Sequence, residues 1–113
     1  MQIIRQPIYR KDLHQIAQKS FGNLVKAVVD IERNIMTLDA ELHSDEEAML
    51  ISDGSNQKNI WGINLYPDLQ GDEFIEFDSM INVRPGQKNL SRGVDDQTIK
   101  KKIIVVVQSL IKD

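Results

Sequence analysis

Four stretches of this chain alternate apolar with polar or small residues at a period of two, the pattern of strands that bury one face. LVKAVVDI puts Val25, Ala27, Val29 and Ile31 on one side and Leu24, Lys26, Val28 and Asp30 on the other. IMTLDAELH sets Met36, Leu38, Ala40 and Leu42 against Thr37, Asp39, Glu41 and His43. IWGINLY opposes Trp61, Ile63 and Leu65 to Gly62, Asn64 and Tyr66. FIEFDSMINVR, the longest, opposes Ile75, Phe77, Ser79, Ile81 and Val83 to Glu76, Asp78, Met80, Asn82 and Arg84. A slip of one residue would exchange the two rows of a strand, so a shared core fixes the register. If the apolar rows meet on one face, the polar rows meet on the other.

The remaining segments supply the cover. After a short strand at Ile3–Arg5 and the break at Pro7, Leu13, Ile16, Ala17 and Phe21 recur at helical spacing up to Gly22. Glu32, Arg33 and Asn34 form a hairpin connection in which Asn34 tolerates a left-handed backbone. Ser44 and Glu47 have capping-box spacing and introduce a short helix closed by Gly54. Asp95 or Asp96 N-caps a last helix over 97–111 with Ile99, Ile103, Val106 and Leu110 on one face. Its IIVVV run is β-branched and would suit a buried strand, but the cap, the lysines of the first turns and the length favour the helix. The expected order is β-α-β-β-α-β-β-α: a single α+β domain of two layers, with a mainly antiparallel sheet and the first and last helices on its apolar face. Its expected core contains Leu13, Ile16, Phe21, Val25, Val29, Leu38, Trp61, Ile63, Phe77, Ile81, Ile103 and Leu110.

Composition removes several classes of function. With 113 residues, 41% of them hydrophobic, the chain has material for one core. The absence of cysteine excludes disulfides, thiolate nucleophiles and Cys-ligated metal. No apolar run is long enough to span a membrane, and the N-terminus lacks a signal-peptide pattern, so a cytoplasmic location and no membrane partner are expected. The net charge of −3 conceals a segregation: residues 1–38 sum to +3, residues 39–78 to −10 and residues 79–113 to +4. So acidic a middle cannot follow a phosphate backbone, which argues against a nucleic-acid partner. Walker A, GxGxxG, GxSxG and HExxH patterns are all missing.

Polar chemistry gathers in the rows opposite the core. Asn is depleted from strands, so Asn64 and Asn82 in mid-strand point to side chains employed in hydrogen bonding. Glu41, His43 and Asp45 alternate and, with Asp78 or Glu76 from a neighbouring strand, offer ligands for a divalent cation. The alternative for Asp45 and Glu46 is simple complementation of a helix dipole, and for His43 a junction hydrogen bond. Arg84, Lys88, Asn89, Ser91 and Arg92 precede a helix start and would suit a phosphate or carboxylate, or else pair internally with the acidic middle segment. His14 lies beside the apolar stripe of the first helix as a boundary residue, and Trp61 belongs to the core.

The segments ELHSDEE, WGINLYP and SMINVRP, within a likeness covering nearly the whole chain, resemble a group of small prokaryotic proteins classed as a domain of unknown function. That resemblance implies a stand-alone domain and no particular catalytic residues. Two functional expectations follow from the residues themselves. One is a non-enzymatic protein that acts by binding, as a homo-oligomer using the polar sheet face or a strand edge. The other is a divalent-metal-dependent hydrolase in which Glu41, His43 and Asp78 hold the ion, Glu76 is the general base and Arg84 or Arg92 steadies an anion. Under either, the functional surface is expected to centre on His43, Asn64, Asn82 and Arg84, gathered around one concave point.

Overall fold

Backbone pairing follows the alternation closely. In the computed structural model, which describes all 113 residues, the chain runs β1 (Gln2–Ile4), β2 (Ile8–Tyr9), α1 (Arg10–Gln18), β3 (Val25–Asp30), β4 (Ile35–Leu38), α2 (His43–Ser52), β5 (Ile60–Leu65), β6 (Ile75–Glu76), α3 (Gln97–Leu110) and β7 (Ile111–Lys112). Single 3-10 turns lie at Gln57–Asn59, Gly71–Glu73, Met80–Asn82 and Pro85–Gln87. Five strands form one sheet in the order β1-β4-β3-β5-β6, antiparallel throughout. β2 and β7 form a separate parallel pair that ties the end of α3 to the start of α1. The α+β class and the mainly antiparallel sheet are therefore as the sequence indicates. No helix is long and apolar enough to cross a membrane.

One face carries the main core: Val25, Ala27 and Val29 of β3, Met36 and Leu38 of β4, and Trp61, Ile63 and Leu65 of β5. Leu13 and Ala17 of α1 and Ile103, Val106, Val107 and Leu110 of α3 close over it. α3 is a helix despite its β-branched run, because its apolar stripe has a core to enter and the Asp96 carboxylate accepts from Thr98 N–H at 2.8 Å and Ile99 N–H at 3.4 Å. The hairpin between β3 and β4 is held by Asp30, whose Oδ1 accepts from the backbone N–H groups of Glu32 and Arg33, and Asn34 has φ +56° as anticipated.

Four expectations require correction. The helices do not all lie on one face: α2 packs on the opposite one, where Leu50 joins Val28, Ile35 and Ile60 in a second apolar cluster, making the arrangement three layers deep there. The IMTLDAELH strand stops at Leu38, because Asp39 turns the chain away at φ +70°. His43 consequently opens α2 with Leu42 at the N-cap, and the Ser44–Glu47 capping box does not form. α1 ends at Gln18 and the chain leaves through Gly22 at φ +92°, so Phe21 falls off the stripe and is 44% exposed. The fourth concerns FIEFDSMINVR, of which only Ile75–Glu76 pairs as strand. Beyond Asp78 the Ser79 hydroxyl accepts from Ile81 N–H at 3.2 Å and starts a turn. Ile81 thereby joins the second cluster instead of the main core.

That turn brings Asn82 to the edge of β5, where β6 has already ended. Gly62 N–H donates to Asn82 Oδ1 at 2.8 Å, and Asn82 Nδ2 donates to Gly62 C=O at 2.9 Å and to Arg92 C=O at 3.0 Å. The side-chain amide thus occupies the place of a strand residue. Arg84 continues the edge, donating to the carbonyls of Ile60 (2.7 Å), Gln57 (2.9 Å) and Ile81 (2.9 Å), with its guanidinium 4.7 Å from the Trp61 ring centroid. Gly62 admits the turn, since a Cβ there would meet Ser79 at 2.6 Å.

The segregated charges meet in space. Arg5 and Arg33 both pair with Asp53, Arg84 with Glu47 and Arg92 with Asp78, each joining a cation from a basic end to an anion from the acidic middle. One acidic residue lies inside the fold without such a partner. Glu46 of α2 is fully buried against the sheet, and burial pushes its carboxyl up to about 9, opposed weakly by Ala40 N–H and Lys26. It is therefore neutral in the folded protein at pH 7.

Two outcomes test these contacts. Asn82→Ala leaves the buried N–H and C=O of Gly62 unpaired and is expected to lower stability by about 2–4 kcal/mol in urea denaturation, a loss that a merely surface-exposed amide would not produce. For Glu46 the folded-state pKa lies above the unfolded value, so its protonation supports folding fully below about pH 4.5 and that support is lost as pH rises toward 9. Glu46→Gln, which stays neutral, should accordingly gain about 4–5 kcal/mol over the natural chain at pH 8 and almost nothing at pH 4.5, read from denaturation curves across that range.

Candidate functional site

The antiparallel register sets Lys26 of β3 directly beside Asn64 of β5, both on the face that α2 only partly covers. α2 begins above them, which lowers His43 toward the strand backbone and leaves Ser44 at the rim. The segment after β6 passes on the other side and contributes Asp78, and Arg92 returns beside it because Ser79 N–H donates to Arg92 C=O at 2.9 Å. Between them lies a cleft of about 220 Å³ lined by Lys26, His43, Ser44, Asn64, Asp78, Ser79 and Arg92, with Leu42, Met80 and Ile81 completing its walls. Residues from ELHSDEE, WGINLYP and SMINVRP meet here.

Each polar group has a definite state. His43 is buried, and its Nε2 lies 2.8 Å from Ile63 C=O, so Nε2–H donates and Nδ1 carries the lone pair. Burial lowers the His43 pKa, with the Ile63 carbonyl acting against that shift, so the imidazole is neutral at pH 7. Asn64 donates through Nδ2 to Glu76 Oε1 at 2.8 Å and to Asp78 C=O at 3.3 Å, which fixes the orientation of its amide, while its buried Oδ1 has no partner. Arg92 reaches Asp78 at 2.6 Å through Nε alone, leaving both terminal nitrogens of its guanidinium without a protein acceptor. Lys26 is half-buried, makes no ion pair and stands 5.5 Å from the Phe21 ring centroid. The first N–H groups of α2 add a positive field at the same wall, because Leu42 offers them no side-chain cap.

The sequence candidates therefore separate. His43, Asn64, Asp78 and Arg92 share the cleft. Asn82 and Arg84 lie at the β5 edge and spend their donors on the backbone of Gly62, Arg92, Ile60, Gln57 and Ile81, so the expected concave point shared with His43 and Asn64 does not exist. Glu76 stands beside the cleft but is engaged, accepting from Asn64 and, at 3.0 Å, from the Tyr66 hydroxyl. Glu41 and Asp45 point into solvent, and no three His, Asp or Glu groups of the chain lie close enough together to hold a metal ion. The Glu41, His43 and Asp78 set is not assembled, because Glu41 follows the left-handed turn at Asp39 and precedes α2 in place of extending β4. Asn89 is structural, donating to the carbonyls of Asn82, Ser91 and Gly93, and Ser91 bonds Asp95 at 2.6 Å. His14 is a boundary residue within 3.0 Å of Asp68.

Two residues escape a reading by rows. Lys26 stands in the polar row but acquires its meaning from the register with Asn64, which no single strand specifies. Glu46 is one of the inward positions of α2, His43, Glu46 and Leu50, whose spacing of three and four is helical. Two of those three are polar, so the stripe carries no apolar signal.

No curated protein and no solved structure matches the chain. A family model described as "Protein of unknown function (DUF5674)" matches residues 2–110, in agreement with the resemblance noted from the sequence. The chain belongs to that family, and the Lys26, His43, Asn64 and Arg92 cleft is its candidate functional site.

Proposed function

We propose that this protein is a non-enzymatic binding protein whose cleft takes a small ligand through an oxyanion, a carboxylate or phosphate group. The observation that carries the reading is the state of the two cations. Lys26 has no ion pair, and Arg92 keeps two terminal nitrogens free although Asp78 is beside it. Charge-assisted hydrogen bonds from such groups are the strong ones, and a guanidinium fork matches an oxyanion in two places at once. The start of α2 adds backbone donors, and a neutral His43 adds no negative charge. A cleft of about 220 Å³ suits a compact molecule, below the usual range for drug-sized ligands. The lack of cysteine is compatible with a cytoplasmic setting for this activity. The metal-dependent alternative has less support, since its proposed ligands are apart and its proposed base is hydrogen-bonded to two neighbours.

Titration of ¹⁵N-labelled protein with inorganic phosphate, and separately with acetate, tests the reading. Saturable shifts are expected at Lys26, His43, Ser44, Asn64 and Arg92, and Lys26→Ala or Arg92→Ala should weaken binding about tenfold or more. Shifts scattered over the whole surface, or equal affinity in both variants, would discard it.

Self-association draws on a second observation. Leu42 and Met80, 55% and 66% exposed, stand at the same cleft and present apolar surface around a polar floor. If two copies meet there, light scattering should give a dimer mass that Leu42→Glu with Met80→Glu converts to a monomer; a monomer in the natural chain at high micromolar concentration excludes it.

A further inference from the structure

A second concavity, independent of the Asn64 cleft, opens on the other face of the sheet edge. Alternation separates the two: Ile75 and Phe77 turn toward the main core, whereas Asp78 turns to the cleft already described. The groove runs between α3 and the Gly71–Phe77 segment, has a volume of about 960 Å³ and lies at the upper end of the range for small-molecule sites.

Its floor and rim differ in kind. Phe74, Ile75, Phe77, Ile104 and Ile111 form an apolar base. Over it stand four cations, Arg10, Lys100, Lys101 and Lys112, against two carboxylates, Asp72 and Asp113, in a chain whose net charge is −3. Arg10 is committed: it lies 4.0 Å from the Phe74 ring centroid, its Nη1 donates to the carbonyls of Pro67 and Leu69, and its Nε pairs with Asp113. Lys100, 4.8 Å from the Phe77 centroid, and Lys101 have no acidic partner. On α3 these two lysines are one turn from Ile104, so an apolar surface and unpaired ammonium groups adjoin on one helical face.

We propose that this groove binds a small amphipathic carboxylate, an apolar chain or ring lying along Phe77 and Ile104 with its acid group on Lys100 and Lys101. Charge complementarity selects an anion, and the floor requires an apolar body. A peptide strand is a poorer occupant, because β6 spans only two residues and cannot support an added ladder. A membrane surface is poorer too, because the apolar residues are recessed below their lysines.

Octanoate is the probe, with octanol as the uncharged control and phosphatidylglycerol vesicles as the lipid-surface control, followed in ¹⁵N spectra. Octanoate should shift Ile75, Phe77, Lys101 and Ile104 saturably, whereas acetate, which has the acid group without the apolar chain, should leave those four in place whatever it does at the Asn64 cleft. Octanol should bind about tenfold or more weakly, and the exposed-site variant Lys101→Glu should reduce octanoate affinity by a similar factor. No saturation by about 10 mM octanoate, shifts confined to the Asn64 cleft, equal binding of octanol, an unaffected Lys101→Glu variant, or binding only to vesicles would each overturn the proposal.

Discussion

Gly62 is a mid-strand residue of β5 whose N–H and C=O both point away from β3 and are both paired by one side chain. A β5 edge left open there would expose a buried N–H and C=O, and the two-residue β6 is too short to reach them. The Asn82 amide supplies an acceptor and a donor at the spacing of a peptide group. Much of the nearby structure depends on this one exchange. It holds residues 79–92 against the sheet, allows Arg84 to continue the edge at Ile60, and by bonding Arg92 C=O brings Arg92 beside Asp78. The cleft is thus shaped by a contact that never touches its interior.

The polar layer beneath α2 follows a different logic. Thr37, His43, Glu46 and Asn64 all stand on one sheet face and are all nearly or wholly buried. Two of them, His43 and Glu46, are shifted toward their neutral forms by that burial. Thr37 Oγ1, Glu46 Oε1 and Asn64 Oδ1 have no protein partner. An apolar layer of the same shape would cost less free energy. The charged groups near this layer are Lys26 and Arg92 and the carboxylates of Asp78 and Glu76; the carboxylates are engaged by Arg92, Asn64 and Tyr66, so the charged donors left over at the cleft are cationic. Burial keeps His43 and Glu46 from adding charge of either sign there.

How far the sequence reaches is visible strand by strand. For β3 and β5 the period of two was sufficient, because both are central and each row has one place to go. That regularity also placed Lys26 and Asn64 on a common face. β4 and β6 failed at their ends, for local reasons invisible to a periodicity. Asp39 adopts a glycine-like φ, and Ser79 bonds the backbone two residues on, each ending an alternation that the residue types would have allowed to continue. The same two breaks decided the fate of the site candidates. The first took Glu41 away from His43, and the second took Asn82 out of a strand and made it a surrogate for one. α2 was foreseen as a helix but not as a cover, since a short amphipathic stripe made of His43, Glu46 and Leu50 carries little apolar contrast.

Charge segregation along the chain, which looked like a property of partners, is mostly a property of folding. Asp53 gathers Arg5 and Arg33 from the first third, and Glu47 and Asp78 take Arg84 and Arg92 from the last. Exposed pairs of this kind contribute little stability each. Their value lies in specificity, because an acidic middle segment repels itself and is attracted to both ends, which favours the long-range pairings over local alternatives. After that pairing the cations left over are the informative ones. Lys26 and half of Arg92 face one concavity, and Lys100 and Lys101 face another on the opposite side of the same sheet edge. The side-chain cations spent on those pairings are arginines, whereas no lysine forms an ion pair and four of them line the two recesses, Lys26 one and Lys100, Lys101 and Lys112 the other, so the charge that stabilises the fold is separate from the charge these recesses offer to ligands.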